Sequence, residues 1–249
     1  MKRVDLYLVP AEAERGDFSK RQVVVIDVLR SCTSIATALR NGAAKVIPVE
    51  TVEEAARLAE TLDRKSRLLC GERDGRKVSG FDLGNSPREY TRQKVEGATL
   101  VFASTNSSPL MTATLAGLDQ VLLGYVNLGA VTEILRHDGR DVAVVCAGQR
   151  GGFSLEDTAC AGALIRRLEA GGAALESNDA AAFAVAFERD YGSPPEALLR
   201  RSHHGRYLVS LGFEEDLPVC AAVDSVPVVP FLREGRITTG PPAAPTPRS

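Results

Sequence analysis

The sequence predicts an α/β fold: a three-layer α/β/α arrangement with a mostly parallel mixed sheet and helices on both faces. Three observations carry this reading. Short apolar runs alternate with helical stretches through residue 170, the pattern of strands joined by crossover helices. Val23 to Ile26 are four β-branched residues in succession, which suits a strand buried on both faces. The apolar runs are followed by polar residues: Asp27, Glu50, Glu72, Ser104 with Asn106, and then Gly148. In open α/β sheets the carboxyl edge of the strands is where ligands bind, and its loops carry function.

Taken in order, the expected strands are 4–9, 23–26, 45–49, 67–70, 100–103, 120–123 and 141–146. The expected helices are 33–40, 52–62, 86–91, 109–116, 128–136 and 155–170. The first of these helices stops at Asn41-Gly42, a helix-end signal. For the helix at 86, Ser86 suits an N-cap, Pro87 the first turn and Glu89 a capping box. Residues 176–212 read as helices, and a late strand over 226–232 is placed at the sheet edge. One α/β domain over residues 1–239 is expected, with room for two lobes. The proline-rich tail 240–249 is expected to be disordered.

Composition narrows the function. The chain has 249 residues, is 44% hydrophobic and 25% charged, and carries a net charge of -2. Those are values of a soluble globular protein with no basic excess to draw nucleic acid or anionic membranes. Met1-Lys-Arg leads into Val4-Asp5 with no long apolar stretch, so neither a signal peptide nor a membrane span is expected. The five cysteines are scattered without a CxxC, which points away from a disulfide framework or zinc site and toward the cytoplasm. A homo-oligomer is left open.

Asp27-x-x-Arg30 falls where the buried strand ends. A carboxylate beside an arginine suits a cation and an anionic substrate together. A local ion pair closing the turn is the structural alternative. Gly80-Phe-Asp-Leu-Gly-Asn-Ser-Pro87 reads as a turn feeding a helix. Capping accounts for Ser86 but not for Asp82 and Asn85. Ser104-Thr-Asn-Ser-Ser-Pro109 is a second hydroxyl-rich turn, and Cys146 to Asp157 is a glycine-rich loop opening a long helix. Ser154 and Asp157 fit a capping box there. The adjacent acids Glu156 and Asp157 offer oxygens to magnesium. Cys70-x5-Arg76 matches a cysteine-phosphatase loop, but Cys160-x5-Arg166 matches too, inside an expected helix. Glu72 and Asp74 within the first match would repel phosphate, so the pattern carries little weight. His203 and His204 are neighbours that would point apart on a helix. One of them suits a general acid or base, against a surface or cap role.

Val25-Ile-Asp-Val-Leu-Arg30, Cys70-Gly-Glu-Arg73, Gly80-Phe-Asp-Leu-Gly-Asn-Ser-Pro87, Thr105-Asn106, Cys146-Ala-Gly148 and Phe153-Ser-Leu-Glu-Asp157 occur in one order along most of the chain. Together they resemble the 2-phosphosulfolactate phosphatases. Two positions depart from that family's usual pattern: Ser107 follows Thr-Asn in place of glycine, and Ser31-Cys32 stands where Ala-Thr is common. The resemblance implies a magnesium-dependent phosphatase that releases 3-sulfolactate from 2-phospho-3-sulfolactate on the coenzyme M route. It implies Asp27, Arg30 and Glu72 as catalytic residues, and Glu156 and Asp157 at the metal. Arg73, Asn85, Ser86, Asn106 and Arg150 are implied to bind the small anionic substrate, the arginines because guanidinium forks match such groups. Asp27 is left open as metal ligand or nucleophile. Leu29 stands where an aspartyl-phosphate enzyme has its second acid, which favours water activated by the metal. The alternatives are a non-catalytic small-anion-binding protein and a phosphatase of a different 2-phospho-hydroxy acid.

Overall fold

The computed structural model describes residues 2–115, 118–172 and 175–240. The strands are β1 (Lys2–Tyr7), β2 (Arg21–Ile26), β3 (Lys45–Val49), β4 (Arg67–Arg73), β5 (Arg76–Lys77), β6 (Thr99–Ala103), β7 (Gln120–Leu123), β8 (Asp141–Cys146), β9 (Leu175–Ser177), β10 (Pro230–Arg233) and β11 (Arg236–Thr239). The helices are α1 (Pro10–Ala13), α2 (Ser31–Arg40), α3 (Val52–Glu60), α4 (Arg92–Val95), α5 (Ser107–Pro109), α6 (Leu128–His137), α7 (Leu155–Ala170), α8 (Asp179–Tyr191), α9 (Pro195–Arg201), α10 (His203–Ser210) and α11 (Asp216–Ala221).

The strands form one sheet in the order β5-β4-β6-β3-β11-β10-β7-β2-β8-β1-β9. Two parallel blocks, β4-β6-β3 and β7-β2-β8-β1-β9, flank the antiparallel hairpin β10–β11. This is the expected mixed, mostly parallel sheet in a three-layer α/β fold. β2 is buried on both sides, as its β-branched run requires. Val24 and Ile26 join one apolar cluster with residues of α6, α7, α8 and α11. Val23 and Val25 join the other, with Ile35 and Leu39 of α2 and with Leu100 and Phe102 of β6. Four strands separate β2 from β6 in the sheet order, yet their side chains share that second cluster. The cluster runs along one face through Val46, Ile237, Leu232 and Leu122 of the four intervening strands.

The late strand differs from the expectation. It is not at an edge: β10 pairs with β7 and β11 with β3, in the middle of the sheet. The hairpin turn is Glu234-Gly235, with φ of 48° and 73°, the left-handed pair that makes a two-residue turn compatible with strand twist. Residues 175–177 form edge strand β9 beside β1 rather than helix. The helix expected at 86–91 is a single 3-10 turn, Pro87–Glu89. Its capping box does not form, because Glu89 accepts from the Gly84 N–H at 2.9 Å and Ser86 turns to Asp216. The helix expected at 109–116 begins with α5 and continues as a π turn over Leu110–Thr114; Ala116 lies outside the described residues. So does the tail from 241 to 249. Among the described residues, no helix is long and apolar enough to cross a membrane.

Candidate active site

A pocket opens where the ends of β2, β4, β6 and β8 converge. It is lined by Asp27, Arg30, Glu72, Asn85, Asn106 and Arg150 of the expected set, and also by Ser31, Asp74, Thr105, Gln149, His204 and Tyr207. The inner part holds about 20 Å³, room for one water-sized group. A wider cavity of about 370 Å³ adjoins it, sharing Gln149, Arg150 and Tyr207 and adding Phe153 and His203.

Asp27 sits one residue past β2 and is 3% exposed. One carboxylate oxygen accepts the Ser31 N–H at 3.2 Å. Burial raises its carboxyl above the ordinary range, while hydroxyls of Ser107 and Ser31 hydrogen-bond to it and oppose the shift. Glu72 ends β4 and binds three donors: Gly75 N–H at 2.7 Å, Thr105 N–H at 2.6 Å and Thr105 hydroxyl at 3.0 Å. It ties the loop after β4 to the loop after β6. Gly71 makes this approach feasible. Its φ is 131°, and a Cβ there would lie 1.9 Å from the Ala103 carbonyl oxygen. Asn85 is 4% exposed; its amide donates to Ser31 at 3.3 Å, and its buried Oδ1 has no hydrogen-bond partner among the described residues. Asn106 Oδ1 accepts the Arg150 N–H at 2.8 Å, and the Arg150 guanidinium reaches across to Asp74.

Arg30 lines the pocket, but its guanidinium is already committed. It is 2% exposed, donates to Asp216 at 2.8 Å and to the Gly75 carbonyl at 2.7 Å, and lies 4.2 Å over the Phe213 ring. Its carboxylate partner comes from α11, far along the chain, rather than from Asp27. Four expected residues do not line the pocket. Ser86 donates to Asp216 at 2.6 Å. Arg73, next to Glu72 on a strand and so on the opposite face, donates to the Glu72 and Glu50 carbonyls at 2.9 and 2.8 Å. Asp157 accepts the Val28 and Gly148 N–H groups at 2.9 and 3.0 Å, clamping the loops after β2 and β8 to the start of α7. Burial first, then the charges of Glu156 and Asp27, push its carboxyl well up. Glu156 is 2% exposed and faces His204, with Nδ1 3.5 Å from its Oε1. Ser154 does cap α7, accepting the Asp157 N–H at 3.2 Å. Cys70 is fully buried, and burial pushes its thiol up, the opposite of what a thiolate nucleophile needs.

Sequence reasoning did not place Ser107, Asp74, Tyr207 or Asp216 at the site, and it left His203 and His204 between a general acid or base and a surface or cap role. Ser107 is fully buried and takes an ordinary negative φ, so serine replaces glycine here without strain.

The pocket's own donors bear on a metal. Among the described residues, no three His, Cys, Asp or Glu side chains gather as a ready metal cluster. Magnesium does not need one: it keeps several waters and binds through one or two carboxylates plus substrate phosphate. Asp27 and the unpartnered Asn85 Oδ1 are hard oxygen donors on one pocket. The lining also holds three carboxylates, Asp27, Glu72 and Asp74, against the guanidinium groups of Arg30 and Arg150. The oxygens of Asp27 and Asn85 therefore suit magnesium at this pocket, whereas Glu156 and Asp157, implied at the metal, do not line it.

A family model for 2-phosphosulpholactate phosphatase matches residues 7–235. The chain belongs to the 2-phosphosulpholactate phosphatase family. This places it among the phosphoric monoester hydrolases. It is 39% identical to a probable 2-phosphosulfolactate phosphatase of Caldanaerobacter subterraneus subsp. tengcongensis, over 90% of this chain and 92% of that protein. Proteins of the same description in Thermotoga maritima and Carboxydothermus hydrogenoformans are 41% and 40% identical. The first match covers 86% of this chain and 90% of the relative, the second 94% and 96%. Within this family member, the motif segments meet in space: the Asp27, Glu72, Asn85 and Asn106 stretches all supply pocket walls.

Proposed function

We propose that this protein is a magnesium-dependent phosphatase of a small 2-hydroxy acid, converting 2-phospho-3-sulfolactate to 3-sulfolactate and phosphate. The observation that carries the reading is the presence of Asp27 and of the Asn85 Oδ1, two hard oxygen donors, on one pocket. When bound, magnesium would offset phosphoryl charge and polarise the reacting oxygens. The chain's own groups supply position. Phosphoryl transfer asks mainly for alignment and charge stabilisation, and Glu72 and Asp157 fix the loops that form the walls. Arg150 is the natural donor to a substrate anion. Its side chain is 62% exposed and its ion pair is with the similarly exposed Asp74, so little is lost when it turns to substrate. Five unpaired thiols suit a reducing compartment such as the cytoplasm. The wider cavity of about 370 Å³ favours one second reading, a phosphatase of a longer 2-phospho-hydroxy acid.

The test is a phosphate-release screen over 2-phospho-hydroxy acids with EDTA and with added magnesium. Turnover of 2-phospho-3-sulfolactate should stop with EDTA and return with magnesium. Full turnover without metal would sink the magnesium reading. Binding without turnover of any member would mark a non-catalytic anion-binding protein.

A further inference from the structure

The buried Glu156 has no place at the substrate, yet it lies next to a residue that does. His204, in the first turn of α10, lines the inner pocket with its side chain 12% exposed. Glu156 Oε1 stands 3.5 Å from His204 Nδ1. The ring's other nitrogen, Nε2, is then the one available to a bound ligand. The neighbouring histidine behaves differently: His203 contacts Gln149 Oε1 through Nδ1 at 2.8 Å and lines the outer cavity. A buried carboxylate behind a pocket histidine is the arrangement that orients an imidazole for proton transfer.

The leaving group defines what such a proton would do. The oxygen at carbon 2 of a hydroxy acid departs as a strongly basic alkoxide unless it is protonated as the ester bond breaks. We propose that His204, oriented by Glu156, is the general acid that protonates this leaving oxygen, with Glu156 as its positioning residue. The proposal rests on the phosphatase reading above. Water attacks phosphorus and forms the new P–O bond while the bond to the alcohol oxygen breaks. His204 Nε2–H gives its proton to that oxygen, and the hydroxy acid leaves as the alcohol. The attacking water carries its two hydrogens onto the phosphate as dihydrogen phosphate. One of these protons then returns to the neutral imidazole through solvent, which restores His204 and leaves monohydrogen phosphate.

The experiment compares wild type, His204→Asn and Glu156→Gln on two esters with magnesium present: 2-phospho-3-sulfolactate, and p-nitrophenyl phosphate, whose phenolate leaves without help. His204→Asn should lower kcat about a hundredfold or more on the sulfolactate ester and less than about threefold on the aryl ester. Glu156→Gln should lower it roughly tenfold on the first and leave the second unchanged. Equal losses on both esters, or no loss on either, would overturn the assignment, since a residue that only shapes the pocket does not sense the leaving group. Thermal melts establish that the variants fold. If His204→Asn does not fold, the leaving-group split in Glu156→Gln decides. Wild-type turnover of neither ester would instead overturn the phosphatase reading, and the proposal with it.

Discussion

Arg30 is held by the protein itself, through Asp216 and the Gly75 carbonyl. Arg30 and Asp216 are 2% and 1% exposed in their side chains, with a 2.8 Å contact between them. Ser86 donates to the other Asp216 oxygen at 2.6 Å, and Arg30 also donates to the Gly75 carbonyl at 2.7 Å. Asp216→Ala removes the carboxylate and leaves a buried guanidinium with a carbonyl and an aromatic face as its partners. Breaking one side of a buried pair costs about 3–5 kcal/mol. The loss of the Ser86 acceptor adds roughly 1 kcal/mol. Against a total of about 5–15 kcal/mol for a folded domain, the variant should unfold at a much lower urea concentration. Arg30→Ala should be similarly destabilised, and the double variant should cost less than the sum of the two, the mark of residues acting as one unit. The assay is urea unfolding followed by circular dichroism, with the slope checked for constancy. The reasoning is refuted if Asp216→Ala and Arg30→Ala both melt within about 1 kcal/mol of wild type. If Arg30→Ala alone keeps wild-type stability while losing turnover, Arg30 binds substrate and the structural pair is incidental.

Two further predictions follow from burial. All five cysteines are buried and unpaired, so Ellman's reagent should find no reactive thiol in the native protein and five in urea. Cys70→Ser should then keep most turnover, and loss of turnover by orders of magnitude in a folded variant would restore the cysteine nucleophile. Asp157 has a raised carboxyl, so the folded state holds its proton more tightly than the unfolded state. That stabilising effect is full below the ordinary carboxyl range, about 3.9, and is lost as pH rises through the folded value. Asp157→Asn lacks the titration, so its stability deficit relative to wild type should narrow as pH rises from acid to alkaline. Urea midpoints at several pH values read this directly, and a deficit that widens with pH would contradict it.

The sheet was legible because buried strands leave a local record. Val23 to Ile26 and Asp141 to Cys146 are apolar runs that need no partner to be recognised, and both form the strands expected. The hairpin β10–β11 was misplaced because an apolar run does not say which neighbours it pairs with. Only the insertion between β3 and β7 settles that. Of the pocket lining, Asp27, Glu72, Asn85 and Asn106 were expected because each follows a strand or sits in a motif loop. His203 and His204 were left between an acid or base role and a surface or cap role, since the partner Glu156 comes from α7 and nothing near Ser202-His-His-Gly205 records that α10 lies over the strand ends. Asp157 poses a related problem. An acid at a helix start looks the same in sequence whether its oxygens face a ligand or, as here, the Val28 and Gly148 N–H groups.

The same contacts explain how the pocket can be both rigid and accessible. The segment Asp74-Gly75 is its hub. Gly75 accepts from Arg30 through its carbonyl and donates to Glu72 through its N–H. Asp74 donates its N–H to the Thr105 hydroxyl at 3.2 Å and accepts from the Tyr207 hydroxyl at 2.9 Å. Through these bonds α11, α10 and the loops after β4 and β6 constrain one another, and most of the bonds on the inner side are buried. Such a wall does not have to reorganise when charge moves during reaction, which is where preorganised dipoles gain their effect. The outer rim is different. Arg150 and Asp74 meet with both side chains more than 60% exposed, an ion pair worth little in water. A substrate anion can therefore replace Asp74 at Arg150 at small cost while the buried Glu72, Arg30 and Asp157 contacts stay as they are. Under the proposed phosphatase reading, substrate capture would fall to the solvated pair and alignment to the buried network.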